Sequence, residues 1–215
     1  MDIIYLGHSS FKFKGKSASV VTDPFDPKMI GLKFSTADAD IVTISHKHAD
    51  HNKSDLVTGV KKIVSGPGEY EIMGVSIIGI PSYHDDKKGE ERGKNTIYVF
   101  EMDGLRLCHL GDLGHDLTEK MLEEIGTINI LMVPVGGEYT INASKAVTVA
   151  QAIEANIIIP MHYQMPGMKE EISSKLSTEE AFLKEIGLPA ERLAKLSIKK
   201  EDLQEEQRVV VLEKK

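Results

Sequence analysis

The sequence predicts a mixed α/β fold, and two patterns along the chain support this prediction. Short apolar and β-branched runs, separated by Gly, Pro and Asp, recur through the first two-thirds of the 215 residues, as expected for strands joined by turns. Beyond that part, the apolar spacing alternates between helical and strand-like, which is typical of helices that pack on a sheet. The composition, with 41% hydrophobic and 27% charged residues, is that of a globular protein.

Eight strands are predicted in the first part of the chain, each from one of these runs. They cover residues 3–6, 11–13, 19–22, 41–45, 62–65, 75–80, 96–102 and 105–110. Between the last two strands, the dipeptide Asp103-Gly104 predicts a tight hairpin turn.

The second part of the chain alternates between helices and strands. Helices are predicted at 117–125, 143–155, 178–186 and 189–196, and strands at 128–133, 157–160 and 208–212. Asn142 precedes the second helix and is expected to cap it. The strand–helix–strand order over 128–160 predicts a crossover unit with its helix on the sheet surface. Because no repeat, low-complexity segment or linker interrupts the chain, one domain is expected over residues 1–215.

Charge and cysteine content disfavour several classes of protein. A net charge of -7 and a pI of about 5.6 argue against nucleic-acid binding, which needs clustered Lys and Arg. The single cysteine, Cys108, allows no intrachain disulfide and favours a reducing compartment. The first residues lack a signal-peptide pattern, and no apolar run is long enough for a membrane helix. We therefore expect a cytoplasmic protein without a membrane segment.

The densest chemical signal is a window of six consecutive residues with three imidazoles and one carboxylate: His46, Lys47, His48, Ala49, Asp50 and His51. The whole chain has only eight histidines, so chance clustering is a poor explanation. Imidazole and carboxylate groups are ligands of zinc, iron and manganese. A segment so rich in ligands can serve two ions, with Lys47 and Ala49 as spacers that point away from them. The window therefore predicts a metal-dependent hydrolase.

Three further ligand-type residues follow predicted strands: His84, Asp112 and His162. Together with the window, four strands each deliver such a residue just beyond their C-terminal ends. Because strand ends are rigid and the loops beyond them can converge on one edge of a sheet, we expect one common metal site. The long loops at 81–94 and 164–177 are expected to shape the specificity of this site.

These motifs, in this order, resemble the metallo-β-lactamase superfamily over residues 3–162. The matching segments are Thr22-Asp23-Pro24, the window from His46 to His51, His84, Gly111-Asp112 and Met161-His162-Tyr163. The opening Tyr5-Leu6-Gly7-His8-Ser9-Ser10-Phe11 looks like that of the UlaG-like metal-dependent hydrolases, a branch of this superfamily. The resemblance implies an αββα sandwich of four layers, in which two mixed sheets pack face to face and helices cover the outer faces.

The resemblance also implies a site for two divalent ions. It assigns to the first ion His46, His48 and His84, and to the second ion Asp50, His51 and His162. It makes Asp112 the bridge between both ions and Asp23 the residue that orients a ligand histidine. Zinc suits these ligands, and manganese, nickel or iron can occupy them as well.

The implied reaction is hydrolysis of an ester, lactone, amide or phosphodiester bond in a small substrate. The nucleophile would be a hydroxide shared by the two ions, with catalytic roles for Asp50, as proton acceptor, and for Asp112. Lys87, Lys88, Arg92 and Lys94 of the loop 81–94 could attract an anionic substrate, although a solvated surface loop is the ordinary interpretation of such charges. Three alternatives stay open: a nuclease or RNA-processing enzyme, a metal-binding protein without catalysis, and an iron-dependent oxidation. A homo-oligomer is compatible with the sequence.

A few positions depart from the family pattern or lie outside it. Leu113 stands where many relatives have Thr after the bridging Asp, so the detailed mechanism does not transfer. His109 alternates with Leu107 on a predicted strand and is expected to be a core histidine. His115 lies three residues after Asp112 and could reach the mouth of the pocket, and its role, like that of His8, stays open.

Overall fold

The computed structural model describes all 215 residues and consists mainly of short strands. The strands are β1 (Asp2–Gly7), β2 (Ser10–Lys14), β3 (Ser19–Thr22), β4 (Ala37–Asp38), β5 (Ile41–Ile44), β6 (Val57–Thr58), β7 (Lys62–Ser65), β8 (Gly68–Ile72), β9 (Val75–Tyr83), β10 (Lys94–Met102), β11 (Leu105–His109), β12 (Ile130–Pro134), β13 (Ile157–Met161), β14 (Ala190–Leu193), β15 (Leu196–Ser197) and β16 (Arg208–Leu212). The helices are α1 (Pro27–Ile30), α2 (Glu119–Ile125), α3 (Ala143–Ile153), α4 (Glu170–Ser173) and α5 (Glu179–Ile186).

Most strands belong to two mixed sheets, which confirms the predicted pair. The smaller sheet has six strands in the order β15-β1-β2-β3-β5-β7, and the larger one has eight in the order β14-β16-β13-β12-β11-β10-β9-β8. In the smaller sheet β2 is antiparallel to β3, whereas β5 is parallel to β3. In the larger sheet β10 is antiparallel to β11, whereas β12 is parallel to β11. The hairpin between β10 and β11 turns at Asp103-Gly104, where both residues have a positive φ, as predicted.

The two sheets pack face to face around one large core. Neighbouring residues of the smaller sheet point to opposite sides, so that Val20 belongs to a buried cluster of 47 residues and Val21 to a separate cluster of 13. The larger cluster joins the inner faces of both sheets, for example where the rings of Phe13 and Phe100 lie 5.3 Å apart. Burying one such side chain contributes about 1.5–3 kcal/mol. The shared core therefore fixes the position of one sheet relative to the other.

Helices cover the outer faces of the sandwich. α3 connects the parallel neighbours β12 and β13, as the predicted crossover unit requires, and packs against α5. Asn142 caps α3, because its side chain accepts a hydrogen bond from the Lys145 N–H at 3.0 Å. Over the smaller sheet the helices are short, and Ile30 of α1 and Ile172 of α4 pack in the 13-residue cluster or against it. None of the helices has the length and apolar character that crossing a lipid bilayer requires.

The predicted helix at 189–196 is wrong. Its first half forms the edge strand β14, which runs parallel to β16 with Leu193 opposite Leu212, and its end lies in β15, which pairs with β1. Helix propensities differ by less than about 1 kcal/mol per residue, so the backbone hydrogen bonds that β16 offers outweigh the local preference for helix. Strand β8 is not predicted from the sequence, because Glu69 and Glu71 make it polar and it is largely exposed.

Strand direction brings the chemically interesting residues to one place. β1 and β3 are both antiparallel to β2, and β5 is parallel to β3, so β1, β3 and β5 all run in the same direction. By the same reasoning β9, β11, β12 and β13 run in one direction in the larger sheet. The C-terminal ends of these strands therefore share one edge of each sheet.

Candidate metal centre

Six strand ends deliver polar residues to a single buried cluster. From the smaller sheet, His8 follows β1, Asp23 follows β3 and His46 comes two residues after β5. From the larger sheet, His84 follows β9, Asp112 comes three residues after β11 and His162 follows β13. All six side chains are buried. Since each sheet contributes three of them, the cluster lies where the two sheets meet.

The carboxylate of Asp112 lies at the centre of the cluster. Its Oδ2 atom is 3.1 Å from Nε2 of His51, 3.2 Å from Nε2 of His84 and 3.2 Å from Nε2 of His162. Nε2 of His46 lies 3.9 Å from the same oxygen. Asp112 is only 1% exposed. One carboxylate thus faces four imidazoles that arrive from three different strand ends.

The surrounding ligand atoms form two main groups. One consists of His46, His48 and His84, and the other of His8, Asp50, His51 and His162, with the ligand atoms of each group within 4.8 Å of one another. A third set with the same spacing, His46, His51 and Asp112, connects the two. The structure therefore brings together all seven ligands that the resemblance implies, and it adds His8. We refer to these eight residues as the His/Asp cluster.

Several polar atoms of the His/Asp cluster are buried without a hydrogen-bond partner. They are Nε2 of His46 and His51, both ring nitrogens of His162, Nδ1 of His8 and His84, and Oδ1 of Asp50 and Asp112. Orphaned buried polar atoms are rare in folded proteins because each one costs free energy, so a group of them that faces one point needs an explanation. Imidazole nitrogens and carboxylate oxygens are the ligand atoms that zinc and similar ions use. The side chains that are present therefore fit a metal ion.

Asp23 orients two of the histidines from behind. Its Oδ2 atom accepts a hydrogen bond from Nδ1 of His51 at 2.9 Å and another from the Ser45 hydroxyl at 2.6 Å. Nδ1 of His46 lies 2.9 Å from the Ser45 oxygen, which is free to accept because the hydroxyl hydrogen points to Asp23. With Nδ1 as the donor in both rings, Nε2 of His46 and of His51 is left to face Asp112.

Burial and neighbouring charges determine the protonation of the cluster. Burial, together with the charge of His51, lowers the pKa of His46 to about 3, so its ring is neutral at pH 7. Burial raises the pKa of Asp112, but the charges of His162 and His51 outweigh burial and hold the pKa well below its usual range. Burial also lowers the pKa of His51, yet the charges of Asp112 and Asp50 raise it overall. The ionised carboxylates thus attract positive charge, which a metal cation also carries.

His8 belongs to the cluster although sequence reasoning leaves its role open. Its Nε2 atom lies 3.4 Å from Oδ2 of Asp50, and its Nδ1 atom has no partner. The backbone of His8 is left-handed, with a φ of 57°, and its carbonyl accepts hydrogen bonds from the Tyr5 hydroxyl and the His162 N–H. These bonds hold its ring 4.2 Å from that of His162. The position of His8 directly after β1 is the signal that could have identified it.

The remaining histidines are engaged elsewhere. His109 is fully buried and donates from Nε2 to the Ser9 carbonyl at 2.8 Å, while its Nδ1 accepts the Gly111 N–H, which confirms a core histidine. His115 donates from Nδ1 to the Asp116 carbonyl and accepts the Tyr83 N–H at Nε2. Both ring nitrogens of His115 are therefore occupied by backbone groups, and His115 does not line the cavity described below.

A cavity of about 530 Å³ opens over the His/Asp cluster. Its floor includes His8, His48, Asp50, His84, Asp112 and His162. Its walls add apolar groups from Met29 and Ile172, the ring of Tyr139 and the side chains of Lys47, Ala49 and Arg92. Lys47 and Ala49 thus border the cavity, and neither belongs to the groups of ligand atoms. The cavity is large enough for a small organic substrate.

Comparison with known proteins identifies the class. A family model described as the beta-lactamase superfamily domain matches residues 2–162, which include strands β1 to β13 and every residue of the His/Asp cluster. The chain therefore belongs to the β-lactamase superfamily. The αββα arrangement of two mixed sheets with outer helices agrees with this assignment.

Individual relatives give a finer comparison. A Thermotoga maritima protein of known structure, described as a candidate zinc-dependent hydrolase of the metallo-β-lactamase superfamily, is 38% identical with a TM-score of 0.79, covering 98% of this chain and 97% of its own. A UPF0173 metal-dependent hydrolase of Thermococcus onnurineus is 27% identical over 186 residues, which are 74% of this chain and 83% of that protein. A metallo hydrolase from Ignicoccus hospitalis, 20% identical over 86% of this chain and 90% of its own, shares the fold with a TM-score of 0.64.

Proposed function

We propose that this chain is a metal-dependent hydrolase that acts on a small substrate at the His/Asp cluster. The observation that carries the proposal is the position of Asp112, whose carboxylate lies between two groups of ligand atoms and within 3.2 Å of three imidazoles. The descriptions of the Thermotoga maritima and Thermococcus onnurineus relatives as hydrolases that depend on zinc or a metal support this general activity.

We further propose two ions rather than one. His46, His48 and His84 would hold the first ion, and Asp50, His51 and His162 the second, with Asp112 shared between them. The high share of imidazole favours zinc, although manganese, nickel and iron accept the same ligands. When bound, such ions lower the pKa of water toward neutrality and withdraw electrons from the substrate oxygen that they contact.

The side chains around the cluster would hold the substrate and move its proton. Asp50 is the carboxylate most open to the cavity, with 16% of its side chain exposed, and its Oδ1 atom has no partner. It is therefore placed to accept a proton from the attacking water and to return it to the leaving group. Met29, Tyr139 and Ile172 form an apolar wall that would exclude bulk water from the reacting bond.

Metal analysis and a substrate panel test this proposal. The protein is reconstituted separately with zinc and with manganese, and it is assayed on esters, lactones, amides, phosphodiesters and β-lactams. We expect hydrolysis of at least one class, and we expect Asp112→Asn to lower both bound metal and activity at least about 100-fold, since substitutions next to metal ligands already cost about 10–100-fold. Asp55→Asn, on an exposed residue away from the cluster, is the matched control. Activity that survives complete removal of metal contradicts the proposal.

A further inference from the structure

A second cavity lies beside the first and has a different chemical character. Its volume is about 380 Å³, and it shares Lys47, His48 and Arg92 with the cavity over the cluster, so the two are neighbours. Three cationic side chains line it, Lys47, Arg92 and Lys94, but no carboxylate does. The chain as a whole has 33 acidic and 26 basic residues, so a lining with three cations and no anion runs against the overall balance.

These three cations form no ion pair within the chain. Lys87 of the same loop forms an ion pair with Glu91, and Lys53 beyond the His46 window lies 3.9 Å from Asp26. No carboxylate lies within 4.0 Å of the charged atoms of Lys47, Arg92 or Lys94, since none of the 20 ion pairs of the chain includes them. Clustered charges of one sign in a concave site raise the local concentration of the opposite charge. The second cavity is therefore a place of positive potential directly beside His46 and His48.

The backbone around Arg92 is held rigidly. The carboxylate of Asp85, which is only 4% exposed, accepts four backbone N–H groups of its own loop. Oδ1 binds those of Lys87 and Gly89 at 2.9 and 2.7 Å, and Oδ2 binds those of Glu91 and Arg92 at 3.1 and 2.7 Å. This arrangement fixes the main chain from which the guanidinium group extends.

The guanidinium group itself is supported by an aromatic ring. Its central carbon lies 5.7 Å from the centre of the Tyr139 ring, within cation–π distance. A planar guanidinium that is already oriented loses little freedom when it binds a carboxylate or phosphate through two hydrogen bonds. Arg92 is therefore prepared to bind an anion at the border between the two cavities.

We propose that the second cavity is a subsite for a phosphate or carboxylate group of the substrate, with Arg92 and Lys94 as its main binding residues. The inference rests on the proposed hydrolase function only for the claim that the scissile bond of the same molecule lies at the His/Asp cluster. A small anionic molecule fits better than a nucleic acid, because three cations on a chain of net charge -7 cannot neutralise a run of phosphates.

Direct binding of inorganic phosphate tests the subsite. Calorimetric titration is carried out on the full-length protein, both as purified and after treatment with a chelator. We expect one phosphate site that persists without metal, and we expect Arg92→Gln and Lys94→Gln each to weaken it about five-fold, the effect of losing roughly 1 kcal/mol of charge interaction. Lys88→Gln is the control, because Lys88 is an exposed cation of the same loop that lines neither cavity.

The possible results separate the subsite from the hydrolase proposal. Phosphate binding that disappears with the metal, or that is equal in all variants, overturns the subsite while hydrolysis of a neutral ester still supports the enzyme. If phosphate binds as expected but no substrate is hydrolysed, the hydrolase proposal is wrong and the subsite proposal stands. If the metal-free protein unfolds, the comparison of variants as purified decides. A short single-stranded RNA that binds more tightly than phosphate, and loses affinity in the same variants, overturns the assignment to a small substrate.

Discussion

Nδ1 of His51 lies 2.9 Å from Oδ2 of Asp23, and both side chains are fully buried at the base of the His/Asp cluster. The same carboxylate oxygen accepts the Ser45 hydroxyl, whose oxygen in turn faces Nδ1 of His46. A single carboxylate outside the His/Asp cluster thus orients two proposed ligands, one for each proposed ion. Asp23 adopts a left-handed backbone conformation, with a φ of 39°, to reach this position.

We predict that Asp23→Asn weakens metal binding about 10–100-fold, the usual effect of removing a partner that orients a ligand. An amide cannot accept from His51 and Ser45 at the same strength, and its NH₂ group opposes the donors that now point at it. Metal affinity is measured by competition with a chromogenic chelator. Asp55→Asn serves as the control for loss of one negative charge. Equal affinity in Asp23→Asn and the control would show that the bond does not orient the ligand.

His8 gives a second prediction. Its imidazole lies beside Asp50 and His162, and burial lowers its pKa to about 4, so the ring is neutral and able to donate a lone pair at pH 7. We expect His8→Asn to weaken the binding of one of the two proposed ions about tenfold and to leave the other unchanged. His115→Asn is the control, since both nitrogens of His115 bind the backbone. If the affinities for both proposed ions are unchanged in His8→Asn, His8 only fills space beside the site.

The hydrogen bonds that the Asp85 carboxylate accepts predict that the stability of its loop depends on pH. Burial raises the pKa of Asp85, but hydrogen bonds from the backbone of Arg92, Gly89, Lys87 and Glu91 outweigh it and lower the pKa to about 2. Because the folded pKa lies below the unfolded value of about 3.9, the stabilisation is present above that value and is lost as the pH falls toward about 2.

Amide hydrogen exchange measured by NMR checks this prediction. Protection of the amides of Gly89 and Arg92 should decrease between about pH 4 and about pH 2 in the wild type, as the carboxylate takes up its proton. In Asp85→Ala their protection should already be low at neutral pH, while Asp86→Ala, on an exposed neighbour without these bonds, should behave like the wild type. Protection that persists at pH 2 contradicts the assigned role of Asp85.

Close packing behind His84 predicts a steric effect at Gly114. A Cβ atom at Gly114 would lie 2.3 Å from the carbonyl carbon of His84 and 2.4 Å from the backbone nitrogen of Asp85. We expect Gly114→Ala to displace His84, to destabilise the fold by about 1–3 kcal/mol and to reduce bound metal. At Gly187 an added Cβ meets nothing within 4 Å, so Gly187→Ala should cost only about 1 kcal/mol for its positive φ and keep the metal. Thermal denaturation and metal analysis of both variants decide.

Sequence patterns predict the ligands better than the groups that support them. His84 and His162 could be predicted because each directly follows a strand that its apolar run identifies. His8 follows β1 in the same way. The hydrogen bonds that connect Asp23 through Ser45 to His46 could not be predicted. They depend on β3 lying beside β5 with Thr22 opposite Thr43. Pairing across a sheet is a long-range relationship that local spacing does not encode.

The sequence predicts that the loops at 81–94 and 164–177 border the site, and Arg92 and Ile172 line the cavity, but the shape of these loops is not predicted. Arg92 enters both cavities because the Asp85 carboxylate folds its loop back through four N–H bonds, and no periodicity of the chain marks that turn. The wrong prediction of a helix at 189–196 also comes from strand pairing. The strand that pairs with Ala190–Leu193 is β16, which follows only after the intervening strand β15.

The contribution of both sheets to the His/Asp cluster has a consequence for the order of folding. Its members extend along the chain from His8 to His162, so no early local hairpin or helix can contain a complete site. Contacts so distant in sequence form late, after the costly closure of long loops. An ion would therefore find its ligands only once the sandwich has closed. A bound ion would therefore slow unfolding, in which the two sheets separate, and leave the folding rate almost unchanged.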